Sequence, residues 1–265
     1  MNAAHPTGLE ARLRERLTRK SVLLMTHVVV GYPSLDANWS MLEAMDDVGV
    51  DLVEFQLPFS EPIADGPRFV KANHDAIEAG ISTRAYFDFA TRAAARFSFQ
   101  VVFMGYYNSV FRMGAERFCE RLAEAGMTGF IIPDLPPEEA TELNATARER
   151  GLDPILTMTP TNSPARLAEI GGQASGFLYC TARTGVTGRQ TDLSQGVAAF
   201  LRRCHEATPL PLGLGFGIRT PANVREARDH GADIAIIGTA GTQAWEEGGA
   251  DGYRQFMKTL AAVTV

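Results

Sequence analysis

Short runs of β-branched and aliphatic residues alternate along the chain with longer stretches whose apolar positions recur at helical period. TGLEARLRERLTRK predicts an opening helix, with Thr7 and Glu10 in capping-box spacing. SVLLMTHVVVGYP reads as strand one, LDANWSMLEAMDDVG as a helix closed by glycine, and DLVEFQLP as strand two. Two helical stretches follow, GPRFVKANHDAIEAG and STRAYFDFATRAAARF, before strand three, FQVVFMGYY, and its helix GAERFCERLAEAG. TGFIIPD with PPEEATELNATARERG, LDPILTMT with SPARLAEIG, and SGFLYCTA with LSQGVAAFLRRCHEA continue the rhythm. PLPLGLGFG with TPANVREARDHG, then ADIAIIG with a last helix, complete it. In SPARLAEIG a serine cap precedes proline at the first helical position.

About eight β–α units predict a parallel sheet, and in 265 residues they predict a closed barrel. The expected fold is α/β: a single (β/α)8 TIM barrel over residues 1–265, with an extra N-terminal helix and an extra helix after strand two. The competing arrangement is an open doubly wound sheet. GLGFG lacks the G-x-G-x-x-G spacing and comes late in the chain, so a dinucleotide fingerprint is discounted.

Period two assigns the faces. In strand two, Val53, Phe55 and Leu57 share the side that packs under helices, and Leu52, Glu54 and Gln56 point into the barrel. Glu54 and Gln56 fall near the C-terminal strand end, where barrel enzymes place their chemistry. The same test groups His27 with Val29 on strand one, Tyr106 with Val102 and Met104 on strand three, and Tyr179 with Phe177 and Thr181 on strand six. On strand four it groups Asp134 with Phe130 and Ile132, predicting that Asp134 joins the rim. Each of these could simply be a satisfied polar core residue. Glu54 resists that reading: a buried carboxylate without a basic neighbour costs several kcal/mol or shifts its pKa, and no Lys or Arg occupies the inward positions.

Composition narrows the chemistry. A net charge of −6 argues against a nucleic-acid or anionic-membrane surface. Three cysteines without C-x-x-C spacing suggest reduced thiols and a cytoplasmic setting. No apolar run approaches the roughly 18 residues that span a bilayer, and the first residues lack a signal-peptide core. None of Lys20, Lys71 and Lys258 lies at a strand's C-terminal end, which disfavours Schiff-base chemistry, and the five histidines lack metal-ligand spacing. RTGVTGR (183–189), GFGIRTP (215–221) and IGTAG (237–241) place glycines after strands six, seven and eight, the last two running into helix N-termini. Such turns suit a phosphate. Acid–base chemistry by carboxylates on a small phosphorylated substrate remains, as in a lyase or isomerase.

PFSEPIADGP, GYYN with FRMGAERF, AEAGMTGFIIPDLPPEEA, ARTGVTG and GFGI together resemble the tryptophan synthase alpha subunit family along nearly the whole chain. The resemblance implies a cofactor-free (β/α)8 lyase that cleaves indole-3-glycerol phosphate to indole and glyceraldehyde 3-phosphate. It also implies a beta subunit, holding pyridoxal phosphate, as partner in an alpha2-beta2 heterotetramer. The family's catalytic pair falls on Glu54 and Asp65. Its substrate contacts fall on Tyr106, Tyr179, Thr187, Gly188, Phe216, Gly217, Gly238 and Thr239, and its partner contacts around Pro58, Glu61, Asn108 and Pro136. TARTGVTGRQT would close over the phosphate as a lid.

The sequence departs from the family where indole should sit. Gln56 stands where the family usually has glycine, His27 where it usually has an apolar side chain, and Ser109 where it usually has proline. His27 and Gln56 are placed to bond each other, to hold Glu54, or to recognise a more polar substrate. Beside the ordinary alpha subunit stand two alternatives: a stand-alone lyase releasing free indole or acting on a related 3-glycerol phosphate, and a catalytically silent subunit that activates a beta partner.

Overall fold

A computed structural model describes residues 8–181, 195–215 and 217–265. Among them are nine strands and eleven α-helices. The strands are β1 (Leu23–Val29), β2 (Leu52–Gln56), β3 (Gln100–Met104), β4 (Gly129–Ile131), β5 (Asp153–Pro154), β6 (Thr157–Met158), β7 (Leu178–Thr181), β8 (Leu212–Gly215) and β9 (Ile234–Ile237). All pair in parallel, in the order β5-β4-β3-β2-β1-β9-β8-β7-β6.

The two ends of that order are neighbours in the chain. Only Ile155 and Leu156 separate β5 from β6, and these link residues bond both ways. Ile155 N–H donates to Phe130 O at 2.9 Å, and Leu156 O accepts from Tyr179 N–H at 3.0 Å. β5 and β6 are therefore one interrupted stave, and the ring closes as the expected eight-stave barrel. Pro154 has no N–H to give to a ladder, which suits an irregular stave.

The apolar faces sort as the alternation predicts. Val53, Phe55, Val101 and Phe103 pack outward under helices, with Met45, Tyr86 and Phe118 among their neighbours. Leu24, Leu178, Leu212 and Ile237 do the same on the other side against Leu167, Phe200 and Val224. Leu52, Val102, Met104, Ile131, Phe177 and Ile236 fill the interior. α1 (Gly8–Leu17) adds Leu9 and Leu13 to that inner cluster, so the extra N-terminal helix plugs the barrel. Its predicted cap, Thr7, lies outside the described residues. The extra helix after strand two is present: α3 (Pro67–Glu78) and α4 (Thr83–Arg96) both precede β3. Ser34, Ser82, Ser163 and Thr220 cap their helices through side-chain oxygens, an interaction worth about 1 kcal/mol each.

Two expectations fail. Strand three is expected to run through Tyr107, but β3 ends at Met104 and a short helix, α5 (Tyr107–Met113), begins at that tyrosine, with Gly114 at φ 82° separating it from α6 (Ala115–Glu124). Asp134 does not join the inner rim. Phe130 and Ile132 pack outward, Phe130 edge-on to Phe118 with centroids 5.6 Å apart, so Ile131 is the inward residue of β4. Asp134 is exposed, and its Oδ1 accepts from Tyr107 N–H at 2.9 Å, capping α5.

Candidate active site

Parallel pairing of β1 with β2 sets His27 beside Glu54 and Val29 beside Gln56. His27, Glu54 and Gln56 therefore meet on the inner face at the C-terminal end of adjacent staves. His27 Nδ1 lies 2.9 Å from Glu54 Oε1, and His27 Nε2 lies 2.8 Å from Gln56 Oε1. Gln56 Nε2 then donates to Asp65 Oδ2 at 2.6 Å. The relative exposures of these four side-chain-bearing residues are 8% for His27, 3% for Glu54, 0% for Gln56 and 7% for Asp65. The basic neighbour that Glu54 requires is thus His27, which no count of Lys and Arg could find.

Asp65 reaches the site because the segment between β2 and α3 folds back on itself. Asp65 N–H donates to Pro62 O and Ile63 N–H to Glu61 O, both at 2.9 Å. Phe59 N–H donates to Asn73 Oδ1 at 3.0 Å, and Ala64 N–H to the Tyr106 hydroxyl at 3.2 Å. Phe59 also stacks on Tyr106 with centroids 5.2 Å apart. Asn73, fully buried on α3, donates through Nδ2 to Phe69 O at 2.8 Å and approaches Asp65 Oδ2 at 3.5 Å. Phe69 lies over the His27 ring at 4.2 Å, with 24° between the planes.

These contacts set the protonation pattern. Burial pushes the His27 pKa down, but the Glu54 charge and hydrogen bond, the Asp65 charge and the Gln56 contact outweigh it, so it ends above its ordinary value. Burial raises the Asp65 carboxyl, while the His27 charge and hydrogen bonds from Gln56 and Tyr106 hold it back. The Tyr106 and Tyr179 phenols are pushed up, first by burial and then by neighbouring carboxylates. The raised His27 value has a consequence for stability. Between 6.5 and that folded value the native state holds a proton that the unfolded chain has released, so stability falls as pH rises. Raised Asp65 acts in the same sense from 3.8 upward. Thermal unfolding followed from pH 6 upward is expected to show a steeper fall in Tm for the native chain than for His27→Phe; equal slopes would rule out a stabilising protonated His27.

Glu54, Asp65, His27 and Tyr179 line one cavity with Gly217, Gly238, Thr239, Thr157, Thr181 and Arg219. Gly238 precedes α11 (Thr239–Ala261), whose first N–H groups and dipole favour an anion, and Gly217 adopts φ 87°. Gly215, by contrast, makes room for a neighbour: a Cβ there would stand 2.5 Å from the Tyr179 ring. Tyr106 joins through Ala64 and Asp65. Thr187, Gly188 and Phe216, with most of the expected lid, lie outside the described residues.

Sequence reasoning missed Phe69, Asn73 and Arg219. Phe69 and Asn73 stand four apart on the buried face of α3, and a buried amide in an apolar helical stripe was the available signal. Arg219 stood in plain view in GFGIRTP, one residue before the Thr220 cap. Of the expected partner contacts, Pro58 and Asn108 line one surface groove, and Glu61 and Pro136 are exposed. Phe111 and Ile63 are 72% and 70% exposed, large apolar side chains left uncovered. No group of His, Cys, Asp and Glu among the described residues is arranged to hold a metal. No helix among them is long and apolar enough to cross a membrane.

Residues 13–264 match the family model of the tryptophan synthase alpha chain. The chain is 44% identical over 252 residues to the tryptophan synthase alpha chain of Syntrophotalea carbinolica, covering 95% of this chain and 99% of that one. It is 42% identical to that of Desulforapulum autotrophicum, covering 96% and 100%. Its fold superimposes on a chain of Mycobacterium tuberculosis tryptophan synthase with a TM-score of 0.90, at 31% identity and 98% coverage of each. A chain of the tryptophan synthase a2b2 complex from Pyrococcus furiosus superimposes with a TM-score of 0.84, at 26% identity, covering 92% of this chain and 98% of that one.

Proposed function

The chain belongs to the tryptophan synthase alpha chain family, the indole-3-glycerol-phosphate lyase subunit of tryptophan biosynthesis, and we propose that Glu54 and Asp65 carry that cleavage here. One observation carries the assignment: two buried carboxylates joined by hydrogen-bonded side chains line the same cavity as Gly217, Gly238 and Thr239. A phosphate at the start of α11 would point the glycerol chain and indole toward the carboxylates. Arg219 adds a guanidinium to the cavity and suits the phosphate end.

Cleavage is a retro-aldol reaction. The indole ring takes a proton at C3, the C3′ hydroxyl loses one, and the carbon–carbon bond between them breaks to leave indole and an aldehyde. Asp65 accepts a hydrogen bond from the indole N–H and stabilises the indoleninium-like cation. Glu54 delivers and removes the protons, so the pair divides electrostatic and acid–base work. In this reading Tyr179 faces the indole, Tyr106 stands behind Asp65, and the family's remaining substrate contacts would fall on Phe216, Thr187 and Gly188. The chemistry asks nothing of the chain beyond proton transfer and charge stabilisation, so this subunit works without a cofactor.

The partner in this reading is a tryptophan synthase beta subunit, docked around the groove of Pro58 and Asn108 and the exposed Glu61 and Pro136, with the uncovered Phe111 and Ile63 as apolar contacts. Exposed aromatic and aliphatic side chains rimmed by polar ones suit such a contact. The test is direct: purified chain is mixed with indole-3-glycerol phosphate, with and without a beta subunit, and indole is measured. Indole should appear in both cases, faster with the partner; its absence in both would overturn the assignment.

A further inference from the structure

We propose that His27 and Gln56 are positioning residues, a two-residue bridge that fixes Glu54 and Asp65 relative to each other and sets which nitrogen of His27 faces Glu54. The inference rests on the catalytic roles given above to Glu54 and Asp65. It begins with donor and acceptor inventory. An amide donates only through nitrogen, and Gln56 Nε2 is committed to Asp65 Oδ2 at 2.6 Å. Gln56 Oε1 therefore faces His27 Nε2 at 2.8 Å as an acceptor, which requires a hydrogen on Nε2. His27 Nδ1 is left against Glu54 Oε1 at 2.9 Å, and one hydrogen occupies that bond, held by the ring or by the carboxyl. Asp65, two residues beyond Ile63 on a loop, thus orients an imidazole on β1 through Gln56.

The surroundings make this arrangement rigid. All four residues are buried, Phe69 covers the His27 ring at 4.2 Å, and Asn73 stands against Asp65 from α3. An unsatisfied buried polar group here would be destabilising, so each member needs the next. Among the described residues, the other ionisable groups of the cavity are Tyr179 from β7 and Arg219 after β8, with Tyr106 touching Asp65 from the end of β3. None of them bonds His27. With Oε1 tied to His27, Glu54 offers its other oxygen, Oε2, to substrate, and any rotation that would withdraw it breaks the bridge. The pair also gives the two unfamiliar polar residues a shared role: each satisfies the other, and neither is suited to the site alone.

The test compares the native chain with His27→Phe, Gln56→Met and the double variant, each with a beta subunit present. Misplacing a catalytic group by about 1 Å can cost on the order of 100-fold. Each single variant is therefore expected to lose about 10- to 100-fold in kcat with KM changed less than about threefold, and to shift the pH profile of kcat. The double variant should be no worse than the poorer single, because the two act as one unit. Unchanged kcat and pH profile in both single variants, or losses that multiply, would overturn the bridge. A measurement on the native chain stands independent of any variant's folding: nitrogen-15 spectra of histidine-labelled protein should show His27 with Nε2 protonated. A tautomer bare at Nε2 would overturn the proposal. A native chain that released no indole would strike the lyase assignment instead, while the nitrogen spectra would still report on the bridge.

Discussion

Replacing Glu54 by Gln is expected to lower kcat for indole release by about 100- to 10,000-fold, the range supplied by a positioned general acid–base. The substitution is close to isosteric, and the new carboxamide can still bond His27 Nδ1, the contact seen at 2.9 Å, by donating its N–H to the neutral ring or accepting from the charged one. What disappears is the capacity to hold and release a proton. The proposed phosphate contacts at Gly217, Gly238, Thr239 and Arg219 are untouched by the substitution, so KM should move little. Steady-state assay with a beta subunit present, together with a thermal unfolding curve, separates lost chemistry from lost fold. A folded variant that keeps more than about a tenth of the native kcat would remove Glu54 from proton transfer.

Alternation alone placed Glu54 and Gln56 inside the barrel, because Val53, Phe55 and Leu57 can only satisfy the helix-facing side. The same rule misplaced Asp134. Both faces of β4 are apolar, and the face shared by Phe130 and Ile132 is the one that packs outward, so a period counted from them leads away from the inner rim that Ile131 faces. The partnership of His27 with Glu54 stood as one of several open readings, for a different reason. Period two tells which face a side chain takes, not which residue stands beside it, and that depends on the β1–β2 register. Asp65 was legible only through the family resemblance. Its inward position is made by two loop hydrogen bonds and by Tyr106, none of which leaves a periodic trace. The polar pair that looked costly as separate residues is satisfied once His27, Gln56, Glu54 and Asp65 are taken together.

Asp65→Asn separates charge from anchoring. Asn can still accept from Gln56 Nε2 through its carbonyl oxygen, so the loop should keep its place. It cannot neutralise a positive charge developing on the indole ring. If Asp65 works electrostatically, Asn should cost about 100- to 1,000-fold in kcat, close to the loss in Asp65→Ala. If Asp65 only anchors the loop, Asn should resemble the native chain and Ala alone should fail. The pH profile gives a second reading. Burial raises the Asp65 carboxyl above its ordinary value, and only the ionised form can accept the indole N–H in that role. Native kcat should therefore climb as pH rises through that raised value, and this acid-side rise should vanish in Asp65→Asn. The same acid-side rise persisting in the Asn variant would assign it to another group. Because Gln56 ties Asp65 to His27 and so to Glu54, the Asn variant should also leave the Glu54 proton step intact, and its residual rate should still be lost when Glu54→Gln is added.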